Sequence, residues 1–259
     1  MRATATAQPN IALIKYWGKR DTAQNLPAVG SISVTLDTLY TRMTLADATA
    51  ADGDVLVVNG REDPAMLPRI RRCLDTVAGA DRPAVAIDSE CNFPLAAGLA
   101  SSASAFAALA VAADSFFGTE LDRLALARLA GRASGSAARS LFGGFVELDK
   151  GDADIVLTEL AAPDAWPLAV VVAITTPGPK PVSSGDAMEL SRQTSPFYER
   201  WIEQQPGDLA TARAAIEARD FHALAAIAEH NCLKMHSVMW ASRPPMIYWN
   251  SATLACMQT

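Results

Sequence analysis

Three short stretches of this chain carry the residue types that chemistry on an anion needs. The first, residues 10–21, reads Asn-Ile-Ala-Leu-Ile-Lys-Tyr-Trp-Gly-Lys-Arg-Asp, which places Lys15 in an apolar, strand-like run beside Ile14, Tyr16 and Trp17. A lysine in such surroundings either finds an anionic partner or loses its charge, because burial disfavours the ammonium. With Lys19 and Arg20 close behind, and Gly18 to loosen the backbone, the segment offers three cations and two aromatic rings, a cup for a phosphorylated ligand. The competing account is a solvated strand end whose lysines reach into water.

The second stretch, residues 94–104, reads Pro-Leu-Ala-Ala-Gly-Leu-Ala-Ser-Ser-Ala-Ser and runs into an Ala-rich helix. Small residues let a backbone approach a phosphate closely, and the helix start adds free N–H groups and the positive end of its dipole. Ser101 and Ser102 contribute hydroxyls. The stretch lacks the Gly-Lys-Ser/Thr ending of a Walker loop and is not a Gly-x-Gly-x-x-Gly fingerprint. An Ala/Ser-rich helix start packed in the core is the alternative.

The third stretch is Ser134-Gly135-Ser136-Ala137-Ala138-Arg139-Ser140, followed by Gly143-Gly144. Two hydroxyls and a guanidinium in a Gly-interrupted loop suit bidentate recognition of a carboxylate or phosphate, against the competing account of a plain surface loop. Arg69 and the Ser191-Arg192 pair are weaker signals, since an arginine on a helix usually faces solvent.

Strands and helices must position these stretches. Apolar runs and alternation predict strands over residues 11–16, 31–36, 42–45, 55–59, 84–90, 145–148 and 155–160, with Asn59-Gly60 as a turn. Residues 168–175, a continuous Val/Ala/Ile run, read as a buried strand. Helices are expected over 64–78, up to residue 117, over 120–130, 185–193, 199–204 and 209–218, and from Asp220 to about residue 240. On the last of these Phe221, Leu224, Ile227, Ala228, Asn231 and Met235 share one face. Thr176-Pro-Gly-Pro-Lys-Pro is the strongest punctuation and divides the chain into expected domains at 1–178 and 179–259. Strands followed by helices, with helices between, make an α+β protein.

Composition narrows the function further. The 259 residues carry 22 Lys and Arg against 28 Asp and Glu, a formal net charge of −6, which excludes a broad nucleic-acid or polybasic membrane surface. An anionic ligand must therefore be met by locally placed cations. Cys73, Cys91, Cys232 and Cys256 show no paired spacing, and His222, His230 and His236 are not spaced as ligands on one helical face, so reduced thiols and no protein-built metal site are expected. Without a leader-like start or a long apolar span, the chain reads as cytoplasmic.

Taken together, the motifs resemble the diphosphomevalonate decarboxylase family. The resemblance rests on Asn-Ile-Ala-x-Ile-Lys-Tyr-Trp-Gly-Lys-Arg-Asp with Asn25-Leu-Pro and Ser31-Ile-Ser-Val-Thr-Leu, on Asn92-Phe-Pro and Ala-Gly-Leu-Ala-Ser-Ser-Ala, and on Ser-Gly-Ser-Ala-x-Arg-Ser-Leu-Phe-Gly-Gly. The second motif alone is shared by the wider galactokinase, homoserine kinase, mevalonate kinase and phosphomevalonate kinase superfamily, whereas Lys-Tyr-Trp-Gly-Lys points to the decarboxylase branch. Ala28-Val29-Gly30, Leu95 and Ala138 are small departures from the family's pattern.

The resemblance implies a two-domain superfamily kinase fold, with an N-terminal ribosomal-protein-S5-like α+β domain for ATP and substrate and a truncated C-terminal α/β sandwich. It implies ATP-dependent decarboxylation of mevalonate 5-diphosphate to isopentenyl diphosphate, with ATP and Mg2+ as cofactors and a homodimer habit. Lys15 and Arg139 would be catalytic, Lys15 where phosphate is transferred and Arg139 on the carboxylate. Tyr16, Trp17, Gly18, Lys19, Arg69, Ser134, Gly135, Ser136, Ala137, Ala138, Gly185, Ser191 and Arg192 would line the substrate site. Gly98, Leu99, Ala100, Ser101, Ser102, Ala103 and Ser104 would cradle the ATP phosphates. The family's Asp-Ala-Gly-Pro-Asn motif, whose Asp is aimed at the tertiary hydroxyl, does not occur in these 259 residues. The expectation is a chain that is nearly inactive and still binds ATP. A mevalonate-type kinase without decarboxylation, and a non-catalytic nucleotide- or diphosphate-binding protein, are the alternative readings.

Overall fold

The structure, a computed structural model, describes residues 1–48, 53–94, 99–176 and 182–258. The chain opens with β1 (Arg2–Ala7), β2 (Asn10–Ile14), the short pair β3 (Lys19–Asp21) and β4 (Leu26–Pro27), β5 (Ser31–Thr35) and β6 (Thr41–Asp47). A hairpin of β7 (Val55–Val58) and β8 (Arg61–Glu62) turns through Asn59-Gly60, both with positive φ, as that dipeptide demands. Helix α1 (Leu67–Ala78), strand β9 (Val85–Cys91), helices α2 (Ser101–Phe117) and α3 (Arg123–Ala133) and a 3-10 helix (Ala137–Leu141) come next. After β10 (Phe145–Lys150) and β11 (Ile155–Ala161) the described elements are α4 (Ser184–Thr194), α5 (Tyr198–Ala218), α6 (Phe221–Trp240) and α7 (Ser251–Met257). The α+β expectation holds.

Two compact units share these elements, and each takes two pieces of the chain: Met1–Ile11 with Thr35–Gly143, and Ala12–Val34 with Gly144–Thr259. Strands early in the sequence hydrogen-bond with strands late in it, so β5 pairs with β10 and carries residues 12–34 into the second unit.

The first unit is a five-stranded sheet, ordered β1-β6-β9-β7-β8, with β7 parallel to β9 and the other pairs antiparallel. Its centre is α2, largely apolar and buried at Ala103, Phe106, Ala107, Ala108, Leu109, Ala110, Ala112 and Ala113, with Val111 and Ser115 exposed. Burial over most of its surface needs many neighbours, and α2 packs against β1, β6, α1, α3 and the 3-10 helix. Alanine lets these neighbours close in without voids. The second unit is built on the sheet β11-β10-β5-β2, with Ile14, Ile32 and Phe145 packed against Leu209, Ala212 and Ile216 of α5 and Leu224 of α6.

Several expectations are corrected. Residues 168–175 form no strand, and Val171 is 94% exposed. Apolar residues supply the side chains of a strand, but the ladder partner makes it, and among the described residues none pairs there. The two helices expected over 199–204 and 209–218 are one, α5, which runs through Pro206. Trp201, Gln205, Leu209, Ala212 and Ile216 form one buried stripe across the proline, and that continuous packing outweighs the lost hydrogen bond. Strand β1 escapes a search for large apolar residues, because its Arg-Ala-Thr-Ala-Thr-Ala buries only alanines, Ala3 and Ala7. The expected domain boundary at residues 177–181 lies outside the described residues.

Burial also sets thiol chemistry. Cys73, on the inner face of α1, has its thiol pushed up to about 12 by desolvation, whereas Cys256 on α7 is exposed. Iodoacetamide at pH 8 should alkylate Cys256 in the native protein and spare Cys73 until the chain is unfolded, since the thiolate is the reacting species. Mass spectrometry showing Cys73 modified as fast as Cys256 would contradict this packing of α1.

Candidate functional site

In the second unit the chain leaves β2 at Ile14 and enters the Lys15-Tyr16-Trp17-Gly18 loop, whose peptide groups have no strand neighbour. Side chains supply the partners. The Lys15 N–H donates to Asn231 Oδ1 at 2.8 Å, and the Lys15 carbonyl accepts from Gln205 Nε2 at 2.8 Å. The Trp17 carbonyl accepts from Trp201 Nε1 at 2.9 Å, and the Gly18 carbonyl from the Ala28 N–H at 3.0 Å. Lys15 itself is half-buried and its Nζ donates to the Ala12 carbonyl at 2.8 Å.

Trp17 is buried, and its Nε1 donates to Ser191 Oγ at 3.2 Å. Ser191 is fully buried and also accepts from Ser242 Oγ at 3.3 Å. In this structure the Ser191 hydroxyl anchors the indole of Trp17. Gly18 has φ +108°, a conformation that suits glycine, and its bare Cα lies against the Tyr198 hydroxyl where a Cβ would collide. Burial pushes the Tyr198 phenol up, so it stays protonated at neutral pH.

Beyond Gly18 two cations share a carboxylate. Arg192 grips Glu189 with both arms of its fork, Nη2 to Oε1 at 2.6 Å and Nε to Oε2 at 2.9 Å, and Gln193 donates to the same carboxylate. The Arg192 hydrogen bond first, then Gln193 and the charges of Arg192 and Lys19, hold the Glu189 carboxyl down to about 2. Glu189 is thus ionised through the neutral range. Gly185, at the start of α4, clears space beside Lys19: a Cβ there would stand 3.6 Å from Lys19 Nζ. The structure therefore brings together Trp17, Gly18, Lys19, Gly185, Ser191 and Arg192.

In the first unit the residues from α3 into the 3-10 helix form a second cluster. Arg139 is 1% exposed, and its Nε and Nη2 both reach Asn10 Oδ1 at 3.4 Å. Asn10 is fixed in turn by donating from Nδ2 to Ser140 Oγ at 2.7 Å and to the Ser136 carbonyl at 3.0 Å. The Gly-interrupted loop expected around Arg139 is a 3-10 helix that folds the guanidinium inward, and Ala137 and Ala138 are buried with it.

Ser102, in the first turn of α2, shares a 3.2 Å hydrogen bond with Ser134. The helix start at Ala100 is left-handed, with φ 50°, and its first turn carries no acidic residue, so the dipole's positive end keeps its sign. Leu99 and Ser104 point inward, Ser104 to Thr41 at 2.7 Å, leaving Ser101 and Ser102 as the accessible hydroxyls of the turn. Gly98 lies outside the described residues. Arg69 reaches from α1 to the Ala133 carbonyl at 3.2 Å while its guanidinium lies 4.9 Å from the Phe106 ring centre, which places it at the end of α3 beside Ser134. No cluster of three or more His, Cys, Asp or Glu suited to a metal occurs among the described residues. A magnesium ion that keeps its waters and rides on nucleotide phosphates needs few protein ligands, and the hydroxyls of Ser101 and Ser102 fit that demand.

Sequence reasoning missed the residues that hold the others. Asn10 opens the first motif but carries no charge, and Gln205 and Asn231 lie in none of the three motifs. The one signal of the latter two was a polar residue in a buried stripe: Asn231 falls between Leu224 and Val238 on α6, and Gln205 between Trp201 and Leu209 on α5.

Comparison with known proteins agrees with this arrangement in both parts of the chain. Residues 7–157 match the model of the diphosphomevalonate decarboxylase-like N-terminal domain, and residues 170–259 that of the mevalonate 5-diphosphate decarboxylase C-terminal domain. The diphosphomevalonate decarboxylase of Saccharomyces cerevisiae is 36% identical over 97% of this chain and 69% of its own length, and that of Rattus norvegicus 35% identical over 100% and 70%. Among solved structures, mevalonate diphosphate decarboxylase from Staphylococcus aureus superposes with a TM-score of 0.87 at 36% identity, covering 100% of this chain and 80% of that one. MDDEF in complex with MVAPP, AMPPCP and magnesium gives 0.87 at 34% identity, with 100% and 81% covered. Matches of this extent on both domain models, at these identities, make the chain a member of the diphosphomevalonate decarboxylase family.

Proposed function

We propose that the protein catalyses the ATP-dependent decarboxylation of mevalonate 5-diphosphate to isopentenyl diphosphate, ADP, phosphate and CO2. The observation that carries this reading is the family match over both domain models, on a chain whose Lys15-Tyr-Trp-Gly-Lys19 loop has its Lys15 and Trp17 carbonyls held by side chains of α5 and its Gly18 carbonyl by the Ala28 N–H. ATP supplies the phosphoryl group that turns a tertiary hydroxyl into a leaving group.

The protein's part is positioning and charge neutralisation. Ser101 and Ser102, with the N–H groups of the first turn of α2, hold the nucleotide phosphates, and Ser134 braces Ser102. Arg139, kept in orientation by Asn10, forks onto the substrate carboxylate, with Arg69 and residues 134–138 around it. Lys19 and Arg192 meet the diphosphate, for which they give up part of their hold on Glu189, and Gly185 keeps the approach open. Tyr16 and the buried face of Trp17 shape the loop around the substrate. Lys15 neutralises charge on the phosphoryl group as it moves. A homodimer in the cytoplasm belongs to the same proposal, and the native mass tests the pairing.

The test of the reaction is product analysis by 31P NMR and trapped CO2 after incubation with ATP, Mg2+ and mevalonate 5-diphosphate, alongside calorimetry of ligand binding. Isopentenyl diphosphate, phosphate and CO2 in equal amounts are expected, slowly formed or not. A phosphorylated product without CO2, or no binding of either ligand, would overturn the proposal. Arg139→Lys should weaken binding of mevalonate 5-diphosphate at least about tenfold, because a point ammonium does not reproduce two parallel charge-assisted hydrogen bonds. Wild-type affinity in that variant would contradict carboxylate recognition by Arg139.

A further inference from the structure

We propose that Asn231 is a positioning residue for Lys15, acting through a relay that begins at Lys234. The proposal rests on the reading of Lys15 given above and assigns what fixes that lysine. Asn231 is fully buried on α6, within an otherwise apolar stripe, where an unneeded amide would cost stability. Each of its amide atoms is committed. Nδ2 donates to Asp208 Oδ2 at 2.6 Å and to Gln205 Oε1 at 2.9 Å, both pure acceptors. The amide oxygen must therefore face the other way, and it accepts the Lys15 N–H.

Asp208 is held in place by the ammonium of Lys234, 2.5 Å away. Gln205 is oriented by the same logic. With its Oε1 taken by Asn231, its Nε2 has two protons to give, and they go to the carbonyls of Lys15 and Gly30 at 2.8 and 3.0 Å. Both polar groups of the Lys15 peptide unit thus end on one interlocked pair of side-chain amides, whose orientation is dictated by a buried carboxylate. Rotation of either amide would set donor against donor or acceptor against acceptor. The result is a loop residue held as firmly as a residue inside a sheet, so the Lys15 ammonium starts from a fixed Cα.

The consequence is specific. If Lys15 meets the terminal phosphate of the nucleotide, loosening its backbone should weaken binding of a triphosphate and spare a diphosphate. The experiment compares AMPPCP with ADP, each titrated calorimetrically with Mg2+ and saturating mevalonate 5-diphosphate, so that no turnover is needed. Four proteins are measured: the full chain, Lys15→Met, Asn231→Ala and the double variant. Lys15→Met should weaken AMPPCP about tenfold relative to ADP, the effect of one lost charge-assisted contact. Asn231→Ala should weaken it about fivefold with ADP unchanged, and in the Lys15→Met background it should add less than about twofold, as expected of two residues acting as one unit.

Equal losses for AMPPCP and ADP, or losses that add in the double variant, would show a merely structural amide and overturn the proposal. Unchanged AMPPCP binding in Lys15→Met would instead overturn the role given to Lys15, and the proposal with it. Should Asn231→Ala fail to fold, Gln205→Met keeps the side-chain volume while releasing the Lys15 carbonyl. It should give the same selective, non-additive loss, and its absence would be equally decisive.

Discussion

A buried peptide group needs a partner, and the loop that follows β2 has none in any sheet. This constraint governs the second unit. The chain must leave its strand after Ile14 to bring Lys15, Trp17 and Lys19 into one short loop, and leaving the ladder strands the N–H and C=O groups that the ladder satisfied. Helices α5 and α6 answer with Trp201, Gln205 and Asn231. The long helices are therefore more than a wall for the core: their polar residues, spaced along the buried stripes, set where the loop runs. Gly18 and Tyr198 complete the turn, one by lacking a side chain and the other by filling the room that this leaves.

The first unit is organised differently, around a helix whose first turn carries no acidic residue. Alanine packing around α2 brings β1, β6 and three helical neighbours close enough to hold it rigidly, while the first turn keeps only hydroxyls and N–H groups. The nearby cation, Arg139, is held by a neutral amide, Asn10. A carboxylate in that position would satisfy the guanidinium more strongly and would also compete with an incoming carboxylate. Asparagine therefore orients the guanidinium through its amide oxygen and adds no charge of its own.

Much of this was legible in the sequence, and the parts that were not share a cause. The end of helix α2 near Phe117 was legible from its alanine-rich run. The charged and small residues of the three motifs declared themselves by type. Residues 168–175 misled, because a Val/Ile run specifies a strand only when another strand lies beside it, and neighbours are not written locally. Pro206 misled in the opposite direction, since a local breaker was overruled by a buried stripe extending on both sides of it. The amides of Asn10, Gln205 and Asn231 were illegible as function, for their work is done on groups more than 100 residues away in sequence. Ser191 shows the same limit, because only the fold reveals that its hydroxyl faces the Trp17 indole.

The central claim is that side chains, in place of a sheet, hold the Lys15 loop. The most direct measurement is native-state hydrogen exchange at the Lys15 amide, resolved by NMR in the unliganded protein. If Asn231 holds that N–H, exchange should need opening of the second unit, with protection of at least about 10³-fold over an unstructured peptide and a rate matching the core amides of β5 and β10. Exchange at the rate of an exposed loop, with β5 and β10 protected, would contradict the account.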